Sequence, residues 1–157
     1  MLKLRQLSFG GPAAIVTSMG LIVGLNAAAE GKAPIVGSLM ILALADNLTD
    51  SLSIHMYQES EQLSEREALW TTVANFFTRL VVALTFIAMI LYLPSPMAIY
   101  LAVAWGLFLL SGLTFLLARE RRGDPMSEIW KHCAIAVLVI ALSRAAGDLI
   151  SFLVGSS

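Results

Sequence analysis

Residues 80–118 read LVVALTFIAMILYLPSPMAIYLAVAWGLFLLSGLTFLLA, and no charged side chain interrupts them between Arg79 and Arg119. An α-helix needs about 20 apolar residues to cross a bilayer core about 30 Å thick. The stretch is therefore long enough for two spans, and Pro94-Ser95-Pro96 in its middle predicts the turn between them. This pattern indicates a polytopic membrane protein.

The chain as a whole is also rich in apolar residues and poor in charged ones. Its 157 residues are 58% hydrophobic and only 13% charged, whereas soluble domains carry about 25% charged residues. A net charge of −1 without a basic stripe argues against nucleic-acid binding, and the single cysteine excludes a disulfide framework and a multi-cysteine metal site. The apolar stretches predict one all-α domain of five transmembrane helices, approximately 12–29, 34–57, 70–93, 96–118 and 131–154.

The basic residues predict the orientation of this bundle. Five spans place the N-terminus, the second connection and the fourth connection on one side, while Lys32 lies on the other. The first side carries Lys3, Arg5, Arg66, Arg119, Arg121, Arg122 and Lys131. The positive-inside rule therefore predicts a cytoplasmic N-terminus and an outside C-terminus. We expect a multi-pass protein of a bacterial inner membrane.

Five ionisable residues fall within the predicted spans. They are Asp46, Asp50, Arg79, Arg144 and Asp148. Each costs at least about 2.5–3.5 kcal/mol at the bilayer centre if it is charged and faces lipid, so we expect them to face the bundle interior. They either mark an ion path or form ion pairs that hold helices together. For Arg144 and Asp148 the i,i+4 spacing favours a pair on one helix.

The second predicted helix carries a polar stripe. At 100° per residue, one face presents Asp46, Asp50, Ser53 and Tyr57, which we interpret as metal-binding or proton-carrying residues. Two carboxylates one turn apart do not both ionise cheaply in a low dielectric, so either one is protonated or a cation lies between them. Arg79 lies about 13 Å into the third helix, at a similar depth. A pair between Arg79 and an aspartate would make the aspartates structural, or would compete with a bound cation.

Two further sequence patterns are weaker, an acidic cluster and a pair of glycines. The acidic cluster follows the polar stripe and is formed by Glu59, Glu61, Glu65 and Glu67. This cluster is either a solvated helix end or an entry that raises the local cation concentration. In the first helix, Gly20 and Gly24 form a GxxxG pattern, which lets two helix backbones approach closely.

Two segments resemble the vacuolar iron transporter family. Residues 48–55 (LTDSLSIH) and 64–67 (SERE) resemble its second-helix pattern Leu-Ala-Asp-Gly-Ile-Ser-Met-Gly followed by Lys-Ser-Glu-Arg-Glu. Residues 14–18 (AIVTS) and Gly24-Leu25 resemble its first-helix pattern Gly-Ile-Val-Thr-Thr and Ala-Gly-Val. The resemblance covers residues 9–67, and beyond them only the five-span plan. It implies export of cytosolic ferrous iron or manganese in exchange for protons, by a homodimer joined through the first helix at Gly20 and Gly24.

The chain departs from the family pattern at three places, which makes it a divergent member. Asp46 matches the acidic residue of the family's second helix, but Ala13 replaces its first-helix aspartate and Ile54 replaces its methionine. The long cytoplasmic metal-binding domain is absent. Without a thioether the site offers only hard oxygen donors, which lowers the preference for softer transition metals.

These observations leave three hypotheses. The first is a proton-coupled, homodimeric transporter of divalent cations that needs no resident cofactor and has membrane lipid, cations and protons as its partners. The second is a non-transporting membrane protein of the same fold, with fixed intramembrane ion pairs and a cytoplasmic partner. The third is an intramembrane hydrolase. Because Ser53 and His55 lie about 160° apart on their helix and no nucleophile motif is present, we expect no enzyme.

Overall fold

The computed structural model describes residues 10–28, 31–60, 64–95 and 97–155, and these contain helices and no strand. Five helices are long and apolar enough to cross a membrane: α1 (Gly11–Ala28), α2 (Lys32–Ser60), α3 (Glu65–Tyr92), α4 (Met97–Glu120) and α5 (Pro125–Gly155). The predicted all-α fold with five spans is confirmed.

Helices α3 and α5 begin five and six residues earlier than expected, because each has a capping residue that the apolar pattern does not reveal. The Ser64 side chain accepts a hydrogen bond from the Glu67 amide at the start of α3. The Asp124 carboxylate accepts one from the Met126 amide, and Pro125 occupies the first position of α5. Side-chain oxygens at the N-cap satisfy amides that have no partner inside the helix, and proline fits the first turn.

Helix α2 is irregular in its middle. Lys32–Ile41 and Asn47–Ser60 are α-helical, and the turn Leu42–Asp46 between them is π-helical. A single π-turn within an α-helix is rare and occurs frequently at functional sites. Asp46 is the last residue of this turn, so the irregularity lies directly beside the aspartate pair.

Helix α1 lies at the centre of the bundle and packs against the four other helices. Its buried side chains meet those of α2, α3 and α4 in one apolar core, which includes Ile15, Met19, Ile22, Leu39, Phe86, Ile90 and Leu110. Helix α5 packs mainly on α1 and α4, and only 11% of its apolar window is buried. The bundle therefore has a well-covered interior and one helix with a largely open outer face.

Candidate functional site

Arg79 of α3 joins the two aspartates of α2. Its Nη1 donates to Asp50 Oδ2 and its Nη2 donates to Asp46 Oδ2, both at 2.7 Å. The aspartates are four residues apart, one at the end of the π-turn and one in the α-helical turn after it, and both reach the same guanidinium. The structure thus contains the arginine–aspartate contact that the similar depths suggested, and it involves both carboxylates.

The three side chains differ strongly in their exposure. The Arg79 side chain is only 7% exposed, whereas those of Asp46 and Asp50 are 51% and 41% exposed. Each carboxylate contacts Arg79 through Oδ2, and much of its surface faces outward from the bundle. With both carboxylates ionised the cluster carries a charge of −1. Its open side can therefore still attract a proton or a metal cation.

A small cavity of about 10 Å³ lies behind the arginine, lined by Ala14, Ser18, Leu42, Ala43, Asn47, Arg79 and Ala83. Among the described residues, no hydrogen-bond partner reaches Ser18 Oγ, Asn47 Oδ1 or Arg79 Nε. These atoms are a hydroxyl, an acceptor and a donor. The cavity is close to the smallest volume that holds one water molecule, and Ser18, Asn47 and Arg79 each supply a polar side chain to its lining.

The start of α1 closes the site from another side. A Cβ added to Gly10 would overlap Asn75 Oδ1 and lie 2.8 Å from Arg79 Cδ, so the backbone at Gly10 passes directly over both side chains. Asn75 is buried and its amide nitrogen lies 3.5 Å from Ser51 Oγ. Glycine is required here because any side chain would displace Asn75 or the arginine.

The other two residues of the predicted polar stripe, Ser53 and Tyr57, lie farther from Arg79 along α2. Ser53 Oγ donates to the Thr49 carbonyl of its own helix at 3.0 Å. Tyr57 lies in the last turn of α2 and is exposed. Of the four residues that we assigned to metal binding or proton transfer, the structure gathers Asp46 and Asp50, and leaves Ser53 and Tyr57 farther along the same helix.

The acidic cluster lies at the connection from α2 to α3. Glu59 is near the end of α2, where its carboxylate is 3.4 Å from His55 Nε2. Glu65 and Glu67 form the first turn of α3, where the positive end of the helix dipole stabilises their charge. Glu61 lies outside the described residues. The entry role of the cluster stays a prediction.

Arg144 and Asp148, which we expected to face the bundle interior, are largely exposed in the structure. Arg144 and Asp148 share one face of α5, but the distance from Arg144 Nε to Asp148 Oδ2 is 3.9 Å and the side chains are 70% and 60% exposed. They do not face the bundle interior. The small residues Ala136, Ser143 and Gly147 form the face of α5 that packs inward, and this leaves the charged pair on the outer surface.

The GxxxG glycines make a close helix contact within the chain. A Cβ on Gly20 would lie 2.8 Å from Ser143 Oγ, and one on Gly24 would lie 3.0 Å from the Ser143 carbonyl oxygen. A Cβ on Gly147 would overlap the Gly24 carbonyl oxygen. The predicted close approach is present, but the neighbouring helix is α5 of the same chain. Helix α5 therefore occupies the face of α1 that we assigned to a dimer contact.

Sequence reasoning missed several residues around Arg79, namely Gly10, Ser18, Asn47 and Asn75. Asn47 and Asn75 are amides within apolar helices, and that is the signal that could have placed them at a buried polar site, since buried polar groups require partners. The Asn47 amide nitrogen donates to the Phe76 carbonyl at 2.9 Å and so ties α2 to α3. The π-turn has no comparable signal in the sequence.

Comparison with known proteins gave no match to this chain among protein-family models, curated proteins or solved structures. The resemblance to vacuolar iron transporters therefore stays a prediction carried by residues 9–67. The geometry around Arg79 is the main structural observation that bears on function.

Proposed function

We propose that the chain is a proton-coupled transporter of divalent metal cations, with Asp46 and Asp50 as the cation site and Arg79 as its built-in counter-cation. The supporting observation is the cluster itself: a buried guanidinium holds two half-exposed carboxylates within the membrane-spanning part of the bundle. Charged groups at this depth are costly and usually serve a path for ions or protons.

The charges of the cluster connect cation binding with proton movement. Two ionised carboxylates and one guanidinium carry −1, and a single proton brings the cluster to zero. A divalent cation brings it to +1, so its binding drives Arg79 away from the carboxylates and requires both of them to be deprotonated. Metal binding to protonatable ligands releases protons. Alternation between a protonated state held by Arg79 and a metal-loaded state would exchange the two ions.

The chemistry of the ligands narrows the class of ion. Asp46 and Asp50 offer hard carboxylate oxygens, and Ile54 occupies the position of the methionine in the vacuolar iron transporter pattern. Carboxylate and water oxygens suit magnesium and manganese better than soft metals. We therefore propose manganese, ferrous iron or magnesium as the substrate, exported from the cytoplasm across a bacterial inner membrane.

A specific observation favours the second function, a non-transporting protein with a fixed ion cluster. Arg79 is enclosed by Gly10, Asn75 and the cavity behind it, and both of its ion pairs are short. Such a cluster can simply pin α2 to α3. The two functions differ in whether Arg79 ever leaves the aspartates.

The test is ion flux in vesicles that contain the purified protein, with manganese, ferrous iron and magnesium offered against a proton gradient. We expect at least one cation to move and protons to move in the opposite direction, and Asp46→Asn to abolish both fluxes. Glu65→Gln is the matched control, since it removes an exposed carboxylate at the start of α3 and leaves Asp46, Asp50 and Arg79 unchanged. Absence of flux for all three ions in folded wild-type protein would favour the fixed ion cluster.

A further inference from the structure

The outer face of α5 carries two charged side chains at membrane depth. Ser143 packs against Gly20 near the middle of α1, so the adjacent Arg144 lies near the middle of the membrane-spanning region. Asp148 follows one turn later, about 6 Å along the helix axis. Both side chains are largely exposed on the surface of a single chain. A charged side chain that faces hydrocarbon is costly, so this face requires a cover or a partner.

The pair within one helix does not meet that requirement. The closest nitrogen–oxygen distance is 3.9 Å, beyond the 2.7–2.9 Å of a charge-assisted hydrogen bond. The same chain shows what a complete arrangement looks like, since Arg79 contacts each of its aspartates at 2.7 Å and is buried. Arg144 thus retains donors, and Asp148 retains acceptors, for groups outside the chain.

The residues beside the pair permit another helix to approach closely. Ala134, Val137, Ala141, Arg144, Asp148 and Ser151 recur at alternating spacings of three and four residues, so they form one seam along α5 that contains both charges. All six residues are exposed, whereas Ser143 on the inward face packs against α1. Small residues at such spacing let two transmembrane helices pack with their backbones close together.

The charges on this face are self-complementary. Two copies of the chain inserted in the same orientation are related by a two-fold axis along the membrane normal, as in most homodimers. If their α5 helices pack along this seam, the contact runs midway between Arg144 and Asp148 of each copy. Arg144 of each copy then lies one turn below Asp148 of the other, on the same side of the contact. An extended arginine side chain covers that distance, so two equivalent ion pairs form and all four charges are paired.

We propose that the outer face of α5 binds a second copy of this chain, through Ala134, Ala141 and Ser151 and through two reciprocal pairs between Arg144 and Asp148. This dimer differs from one joined through the first helix, because Gly20 and Gly24 remain packed against α5 of their own chain. It is independent of the proposed transport function, since Asp46, Asp50 and Arg79 are on other helices.

The test uses two single variants, Arg144→Ala and Asp148→Ala, each with its own affinity tag, in lipid vesicles. Neither variant alone can form a reciprocal pair, so we expect each to associate at least about tenfold more weakly than the wild type. A mixture of the two restores one pair, between the retained Arg144 of one variant and the retained Asp148 of the other. We therefore expect the mixed dimer to exceed both variant homodimers. Glu128→Ala, which removes the exposed Glu128–Lys131 pair on the same helix, is the control and should leave association unchanged.

A second measurement does not depend on the charged residues. In a chain that carries Cys133→Ser, Ala141→Cys should form a disulfide between copies, whereas Leu142→Cys, on another part of the α5 surface, should not. A wild-type protein that is monomeric in vesicles would overturn the proposal. So would single variants that associate like the wild type, a mixture no better than its components, or equal crosslinking at positions 141 and 142. Any of these results would leave lipid or a different protein as the cover of this face.

Discussion

The two arginines within the spans have the same type of partner and opposite surroundings. Arg79 is buried in the bundle and contacts two aspartates on a neighbouring helix at 2.7 Å. Arg144 is exposed and lies 3.9 Å from its nearest aspartate, on its own helix. Both are similarly embedded in apolar sequence. The fold of this chain therefore buries and pairs the charge of Arg79, whereas it leaves Arg144 and Asp148 exposed and 3.9 Å apart.

The difference follows from the position of each helix. Helix α3 packs against α1, α2 and α4, so polar groups on several of its faces meet other helices. Helix α5 packs mainly on α1 and α4, through the small residues of one face. Within the part of the chain that the structure describes, a charged residue on the outer face of α5 therefore has no other helix to meet.

The largest effect should come from Arg79→Ala, which removes the cation between two carboxylates one turn apart. Breaking a buried ion pair costs about 3–5 kcal/mol in soluble proteins, and we expect a loss of this order in the free energy of unfolding in detergent. Adding Asp46→Asn and Asp50→Asn should recover much of it, because the repelling charges are then gone. A wild-type stability in Arg79→Ala would contradict the view that Arg79 holds α2 and α3 together.

The same variant separates the two proposed functions. If Asp46 and Asp50 form a cation site, manganese should bind Arg79→Ala at least as tightly as the wild type and should raise its melting temperature, because the metal replaces the missing charge. If the cluster is only structural, manganese should leave the melting temperature unchanged while the triple variant remains stable. Sodium at equal ionic strength is the control for general screening.

A smaller effect should come from Gly147→Ala, which tests the contact that determines which face of α5 is outside. The added Cβ would overlap the Gly24 carbonyl oxygen, and overpacking of this kind typically costs about 1–3 kcal/mol. Gly112→Ala is the matched control, since nothing lies within 4 Å of its added Cβ. Equal unfolding free energies for the two variants would mean that α5 is not held against α1 at this point.

The next effect concerns cation affinity rather than stability. We expect Asp46→Asn to weaken manganese binding at least about tenfold, and Glu65→Gln to weaken it less than about twofold. Asp46 lies within the apolar length of α2, where the lower dielectric strengthens its attraction to a cation, whereas Glu65 lies in the first turn of α3. Calorimetric titration of the purified variants gives both affinities. Similar losses in the two variants would move the binding site to the acidic cluster between α2 and α3.

The smallest effect should come from Arg144→Ala in a dilute, monomeric sample. An exposed i,i+4 pair contributes about 0.3–0.5 kcal/mol, so the free energy of unfolding should hardly change. This result, set beside that of Arg79→Ala, would measure the contrast between the two regions directly. A loss comparable to that of Arg79→Ala would show that Arg144 has a partner within the chain.

The sequence alone was sufficient for the number of spans, because an uncharged stretch of sufficient length can avoid exposing its backbone to lipid only as a helix. It was also sufficient to suggest the contact at Arg79. The positions of charges along α2 and α3 set their depth, and depth limits which side chains can meet. Both conclusions depend on distances along the helix axis, which follow directly from residue numbers at about 1.5 Å per residue.

The tertiary structure decided which faces meet. The sequence shows that Gly20 and Gly24 permit close approach, but it does not say whether the approaching helix belongs to the same chain. Ser143 and Gly147 fill that position because α5 folds back onto α1, and this choice turns Arg144 outward. The rotation of each helix about its own axis is determined by the combined packing of all its neighbours, so the sequence of one helix does not determine it. The same reason applies to the π-turn at Leu42–Asp46, a local backbone change that lies beside the buried contacts of Asn47 and Arg79.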